Sequence, residues 1–387
     1  MRHNAHPSRR AAILSAVLSC CASACSGGDT GREDSAVDAD RSDATSPIAD
    51  ANAEGDADQS DAVAARVDAG ATPHDASATA PDANATAPDA SAAPKDASAE
   101  SGAASPEGVG SWSSAMAMPT KRTEIAVAEL DGKVYVAGGY GGLSSFEAYD
   151  LESNQWEPRA SLPMGREHPS LAVLNGLVYI TGGNASDTFA YDPKTNAWTA
   201  RAALLYARYA AAAVSLNGAI YLLGGTGPMD TVMQRYDPQA DKWSASATLS
   251  MRRDHIAAVV LDGKIYALGG RPGQGDVYRS VEIYDPNTER FLVGPDMLEG
   301  RSGFGAGVVN GKIYVAGGEV LIQPYSVRDT AEVFDPARGV WSFKAKLPMP
   351  LHGTGGVGFG DKFYLFGGVP NPASATPRLG GVNVLSP

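Results

Sequence analysis

A doublet of glycines recurs six times in the C-terminal two-thirds of the chain: Gly138-Gly139, Gly182-Gly183, Gly224-Gly225, Gly269-Gly270, Gly317-Gly318 and Gly367-Gly368. The first glycines stand 44, 42, 45, 48 and 50 residues apart. A unit of that length cannot bury an apolar face alone, so its copies must stack on one another, as a propeller or a solenoid.

Each copy predicts four short strands, A to D. Strand A is a run of small apolar residues, as in Ile256-Ala-Ala-Val-Val-Leu261. It ends at Asp131-Gly132, Asn175-Gly176, Asn217-Gly218, Asp262-Gly263 or Asn310-Gly311, pairs that tolerate the positive φ of a tight hairpin. The sixth copy inverts the pair as Gly360-Asp361, and a hairpin is expected there too. Strand B carries Tyr135, Tyr179, Tyr221, Tyr266, Tyr314 and Tyr364 in register and runs into the glycines. Strand C carries Tyr-Asp at 149, 191, 236 and 284, and Phe334-Asp335. Strand D brings Trp156, Trp198, Trp243, Phe291 and Trp341, large enough to pack one unit on the next.

Glycine doublet, strand-B tyrosine, Glu-x-Tyr-Asp-Pro run and tryptophan together resemble the kelch repeat. The resemblance covers residues 111–387 and implies an all-β, six-bladed β-propeller, four strands to a blade around a central channel. Phe189, Gln234 and Asn383 depart from the Glu that kelch repeats place before the strand-C aromatic, and Phe291 departs from Trp. Trp112 precedes any strand A, and the last copy ends in a degenerate strand C, Gly381-Val-Asn-Val-Leu-Ser-Pro387, with no strand D. The two ends therefore predict that the Trp112 strand completes blade six and closes the ring, which removes an open edge.

Residues 1–25 read as a secretory signal: Arg2, Arg9 and Arg10, then the short apolar run Ala11–Leu18. All three cysteines, Cys20, Cys21 and Cys25, follow it, so the repeats hold no disulfide. The segment resembles a bacterial lipoprotein signal, which implies lipidation of Cys25, with Cys20 as a second choice and plain cleavage near Ala24 as a third. Residues 26–110 are Ala, Asp, Ser, Thr and Pro without a single Phe, Tyr or Trp. Such a composition cannot offset chain entropy and predicts a disordered linker, with an r.m.s. span of about 50 Å. The linker holds 18 acidic and 4 basic residues, while residues 111–387 hold 26 and 24. The acidity of the chain is thus a linker property, and a near-neutral propeller gives no reason to expect nucleic acid. The expectation is an exported monomer of the bacterial cell envelope, held to the membrane by a lipid anchor alone, without cofactor or metal.

Strands B–C and D–A are joined on one face of a propeller. Its B–C loops grow from five residues at 184–188 to fourteen at 369–382, and variable loops on a rigid frame are where recognition resides. Sixteen positions before each first glycine stand Arg122, Arg166, Arg208, Arg253 and Arg301, with Leu351 in the sixth copy. The column fits either an anion-binding ring or ties from strand A to backbone carbonyls, and a feature common to all repeats favours the ties. Two residues on, the copies diverge as Glu124, His168, Ala210, His255, Gly303 and Gly353. The candidate ligand-binding residues are Glu124, Arg166, His168, Arg253, His255, Arg271, Glu319 and His352, with Gln323 and Tyr325 on a long loop. His168 and His255 belong to blades two and four, about 120° apart on a six-fold ring, a separation that argues against a shared metal ion.

There is no Walker loop, His-Glu-x-x-His run or Gly-x-Ser-x-Gly elbow. Galactose-oxidase-like kelch enzymes need a cysteine cross-linked to a tyrosine, and residues 111–387 contain no cysteine. The favoured expectation is a module that binds a protein or glycan through the B–C and D–A face. The alternatives are a carbohydrate enzyme resembling sialic acid mutarotases or epimerases, with Glu124 and an Arg as its pair, and a structural envelope protein.

Overall fold

A computed structural model describes residues 108–387 with the exception of 274. The expected signal, the expected lipidation site Cys25 and nearly all of the expected linker lie outside the described residues. All regular structure among the described residues is β-strand.

Strand β1 (Ser111–Ala115) precedes the first copy. Blade one comprises β2 (Ala126–Leu130), β3 (Lys133–Ala137), β4 (Phe146–Asp150) and β5 (Gln155–Pro158), and blade two β6 (Pro169–Leu174), β7 (Leu177–Gly182), β8 (Thr188–Asp192) and β9 (Ala197–Arg201). Blade three comprises β10 (Ala212–Leu216), β11 (Ala219–Leu223), β12 (Val232–Asp237) and β13 (Lys242–Thr248), and blade four β14 (Ala257–Leu261), β15 (Lys264–Leu268), β16 (Val281–Asp285) and β17 (Arg290–Gly294). Blade five interrupts β18 (Gly305–Val309), β19 (Lys312–Ala316), β22 (Ala331–Asp335) and β23 (Val340–Phe343) with a small hairpin, β20 (Glu319–Val320) and β21 (Ser326–Val327). Blade six has β24 (Gly355–Phe359), β25 (Lys362–Phe366) and β26 (Val382–Ser386), and its order is β1-β26-β25-β24. The outer strand of the last blade is therefore the first strand among the described residues. Trp112 stands opposite Leu385 in an antiparallel pairing of five residues.

The repeated residues now have physical reasons. The second glycine of the doublet donates its N–H to the carbonyl of the next blade's arginine column, as Gly139 to Arg166 at 3.0 Å and Gly270 to Arg301 at 2.9 Å. A Cβ on the first glycine would meet that same oxygen, at 2.7 Å for Gly138 and 2.6 Å for Gly224. Only a residue without a side chain lets adjacent blades approach so closely. The strand-D tryptophans tie the blades at the rim. The indole Nε1–H of Trp156 donates to Met116 O, Trp198 to Ala160, Trp243 to Ala202, Trp341 to Pro295 and Trp112 to Ala345, each a carbonyl of the preceding blade. Phe291 has no N–H to offer at the equivalent place in blade four. The strand-C aspartates cap the C–D turns, Asp150 Oδ1 accepting from the amides of Glu152 and Ser153.

Candidate functional site

The site begins with the backbone. Glu124, His168, Ala210, His255, Gly303 and Gly353 all have φ between 49° and 65°. A side chain in that region costs about 1–2 kcal/mol, so four of the six positions are strained around one opening. The conformation turns each N–H along the ring. Glu124 N donates to Gly353 O at 2.8 Å, Gly353 to Gly303 at 2.6 Å, Gly303 to His255 at 2.9 Å, His255 to Ala210 at 2.9 Å and Ala210 to His168 at 3.3 Å. The result is a collar that narrows the channel mouth. Above it opens a recess of about 360 Å³, walled by the long B–C loops of blades five and six at Leu321 and at 373–375.

The collar brings distant blades together. The rings of His168 and His255 have centroids 4.9 Å apart, although blade three lies between them. This corrects the angular argument of the sequence: neighbouring collar residues are one hydrogen bond apart, so 120° spans only a few ångström. Glu124 Oε2 lies 3.3 Å from His168 Nε2 and 3.9 Å from His255 Nε2. His352 Nε2 donates to Asn371 O at 2.9 Å and points Nδ1 at Glu319 Oε2 (3.4 Å) and Glu124 Oε1 (3.6 Å). Arg271 reaches Asp254 Oδ1 at 3.1 Å and Glu319 Oε1 at 2.6 Å, and Asp254 Oδ1 also takes His255 Nδ1 at 2.6 Å.

Charge states follow from this packing. Burial pushes the His168 imidazole down to about 4, although Glu124 opposes the shift, so it is neutral at pH 7. Burial works against a charge on His352 as well, but Glu124 and Glu319 prevail and raise it above its ordinary value. Burial opposes ionisation of Glu124, yet the imidazoles of His168, His352 and His255 outweigh it and hold the carboxyl at about 2. For Asp254, burial is likewise outweighed, by His255 and Arg271, and its carboxyl is lowered.

Six of the eight candidates thus line one recess: Glu124, His168, His255, Arg271, Glu319 and His352. The other two do not. Arg166 and Arg253 are 1% exposed and sit inside their blades, Arg166 on Gly182 O at 3.1 Å and Arg253 on Gly269 O, Ser280 O and Glu282 Oε1. The arginine column is structural, as its presence in five repeats favoured. Gln323 and Tyr325 are exposed on their loop and do not line the recess. Tyr140, Glu167, Tyr209 and Asp254 were missed. Tyr209 and Tyr140 present rings to His168, at 4.2 and 6.3 Å between centroids, and Tyr209 Oη donates to Glu167 Oε1 at 3.3 Å. Glu167, Tyr209 and Asp254 all immediately precede a collar residue, and a residue at positive φ breaks the two-residue alternation that assigned them to the far face. Tyr140, Arg271 and Glu319 all directly follow a glycine doublet, a column whose variation (Tyr140, Asn184, Thr226, Arg271, Glu319, Val369) was a usable signal.

Comparison with known proteins agrees with this architecture. The kelch motif model matches residues 121–163, 207–250, 252–298 and 300–348. A 50-residue stretch is 40% identical to Kelch-like protein 4 of Homo sapiens, spanning 12% of this chain and only 7% of that relative. Among solved structures, the fold is similar to that of YjhT, with a TM-score of 0.62 at 16% identity over 70% of this chain and 96% of that one. It is also similar to a fungal alcohol oxidase of the AA5 family in complex with copper, with a TM-score of 0.55 at 19% identity over 72% and 76% of the two chains. At such identities the likeness is one of fold. By its repeats, its blades and its ring closure, the chain belongs to the kelch-repeat β-propellers.

Proposed function

We propose that this protein is an exported, lipid-anchored binding module that takes a saccharide unit of a glycan into the recess above the collar. The observation that carries the reading is the composition of that recess. It has the volume of a small-ligand site, and rings from Tyr140 and Tyr209 face a floor of hydrogen-bonding groups from Glu124, His352, Arg271 and Glu319. Aromatic faces beside polar groups suit the apolar and hydroxyl faces of a sugar. Arg271 is committed to Asp254 and Glu319, which favours a neutral sugar over an acidic one. A clamp for a sialic acid carboxylate would need a cation that is not already paired.

A second reading, sugar mutarotation or epimerisation, draws support from Glu124 lying within 3.3–3.6 Å of His168 Nε2 and His352 Nδ1, where protons can be exchanged with a ligand hydroxyl. A glycan-array screen of the full chain, followed by NMR of the bound sugar, tests both. Binding that falls about tenfold or more in Tyr140→Ala and Tyr209→Phe/Tyr140→Ala, with no change in anomer exchange, supports the module. Accelerated anomer exchange that Glu124→Gln abolishes supports the enzyme. No saccharide binding at all removes the first reading. Fatty-acid labelling that Cys25→Ser abolishes tests the anchor.

A further inference from the structure

We propose that Glu124 Oε2, His168 Nε2 and His255 Nε2 form a binding site for a divalent transition-metal ion of the zinc class at the floor of the recess. One ligand atom from each of these residues, on blades one, two and four, lies within 4.8 Å of the other two. Four-coordinate zinc with bonds of about 2.0–2.1 Å places its ligand atoms about 3.4 Å apart. Two of the present separations, 3.3 and 3.9 Å, lie near that value, and the third is no more than 4.8 Å.

The arrangement of protons points the same way. The Asp254 carboxylate can only accept, so the 2.6 Å contact fixes the His255 proton on Nδ1 and leaves Nε2 to accept, with Arg271 Nη2 at 3.2 Å and Glu124 Oε2 at 3.9 Å from it. This carboxylate–imidazole pairing is how metal-binding histidines are oriented. The guanidinium of Arg271 lies 3.1–3.2 Å from both nitrogens of the same ring. Tyr209, the hydroxyl nearest His168 Nε2 at 3.4 Å, gives its proton to Glu167. His352 meets the other oxygen of Glu124. Two imidazoles and a carboxylate therefore bring ligand atoms to one region, where a cation can bind all three. Glu124, Glu167, Asp254 and Glu319 surround that point against Arg271 and His352, a net negative setting for a divalent ion. Imidazole with carboxylate suits Zn²⁺, Co²⁺, Ni²⁺ and Cu²⁺ over Ca²⁺ or Mg²⁺. The positions toward Tyr209 and the recess stay open for solvent or a ligand hydroxyl. The proposal does not rest on the saccharide reading, since the ion needs only residues of the chain.

The test is titration of the full, chelator-stripped chain with Co²⁺ and Zn²⁺. One equivalent of Co²⁺ is expected to give the visible ligand-field bands of a four- or five-coordinate ion, Zn²⁺ to displace it, and either to raise the melting temperature. His168→Ala/His255→Ala is expected to abolish the bands and the melting shift while folding normally, because Ala210 already occupies an equivalent collar position at φ 54°. Asp254→Asn, a positioning change, is expected to weaken Zn²⁺ about 10–100-fold, read as a smaller melting shift relative to that variant's own metal-free melting temperature. Bands that persist in the double alanine variant place binding elsewhere, for instance at His3, His6 or His74, and overturn the proposal. So does wild-type protein that binds neither ion more tightly than that variant.

Discussion

At the scale of single residues, the buried arginine column sets the hardest energetic condition. Arg301 and Glu332 are both fully buried and paired, with Arg301 also bonding Gly317 O and Thr330 O. Removing one partner of such a pair leaves a charge without water or counter-ion, a loss of about 3–5 kcal/mol. Glu332→Ala should therefore lower the urea midpoint sharply, and Glu332→Ala/Arg301→Met should recover part of the loss. Where the sequence departs from the repeat, the partner changes with it: Arg166 lies 5.8 Å from the centroid of Phe189, and Arg208 turns to the carbonyls of Pro228, Met229 and Val232. The mouth makes a second prediction, readable by side-chain NMR in the presence of a chelator. His168 should stay neutral until about pH 4, and His352 should keep its proton past the ordinary imidazole midpoint of 6.5. The signs differ in consequence. The raised His352 contributes stability that is present below 6.5 and lost as pH rises through its folded value. The lowered His168 withdraws stability as pH falls from 6.5 toward 4.

At the scale of elements, the indole straps join five seams of the ring, and Phe291 leaves the seam between blades three and four without one. Phe291→Trp should restore the missing tie and stabilise by about 0.5–1.5 kcal/mol, the net worth of one hydrogen bond, with Trp112→Phe costing a similar amount. Differential scanning calorimetry of the two variants checks both. The same elements show what was legible in advance. Strand order, the hairpins (including the inverted Gly360-Asp361 turn) and the Trp112 closure were readable, because each rests on a local rule repeated five or six times. The collar was not, since a left-handed residue at Glu124 or His168 carries no side-chain signature. Its effect is to shrink the ring radius and to rotate the preceding residue inward, so Tyr209 and Asp254 escaped notice while Arg166 and Arg253 drew it. The half-burial of Trp112 was equally hidden: its ring packs edge-on to Phe363 at 6.3 Å but stays partly open to solvent.

At the scale of the whole molecule, closure makes the two ends of residues 111–387 interdependent. Deleting residues 108–115 removes the pairing of β1 with β26, the indole tie to blade five and the contacts of Gly108 O with Lys344 Nζ (2.8 Å) and Val109 O with Ala345 N (2.7 Å). The expected outcome is a broad, early thermal transition, against a sharp and unchanged one when residues 27–107 are removed. Equal transitions in the two deletions would contradict closure as the source of cooperativity.

The position of β1 also decides how the ring answers to force. Tension drawn through the residues ahead of Gly108 falls on the contacts of Gly108 and Val109 with blade five and then on an outermost strand with five paired residues and an indole pin, not on any inner strand. Peeling that strand frees only about 17 Å of chain at strand spacing, yet it unlatches blade six and exposes the edge of β26. The propeller is therefore built with a mechanical fuse at the point where the rest of the chain enters it. Rebinding is quick in principle, because the latch is short and its partner strand remains in place. A pulling experiment should record a small first extension that reverses on relaxation before any larger loss of length.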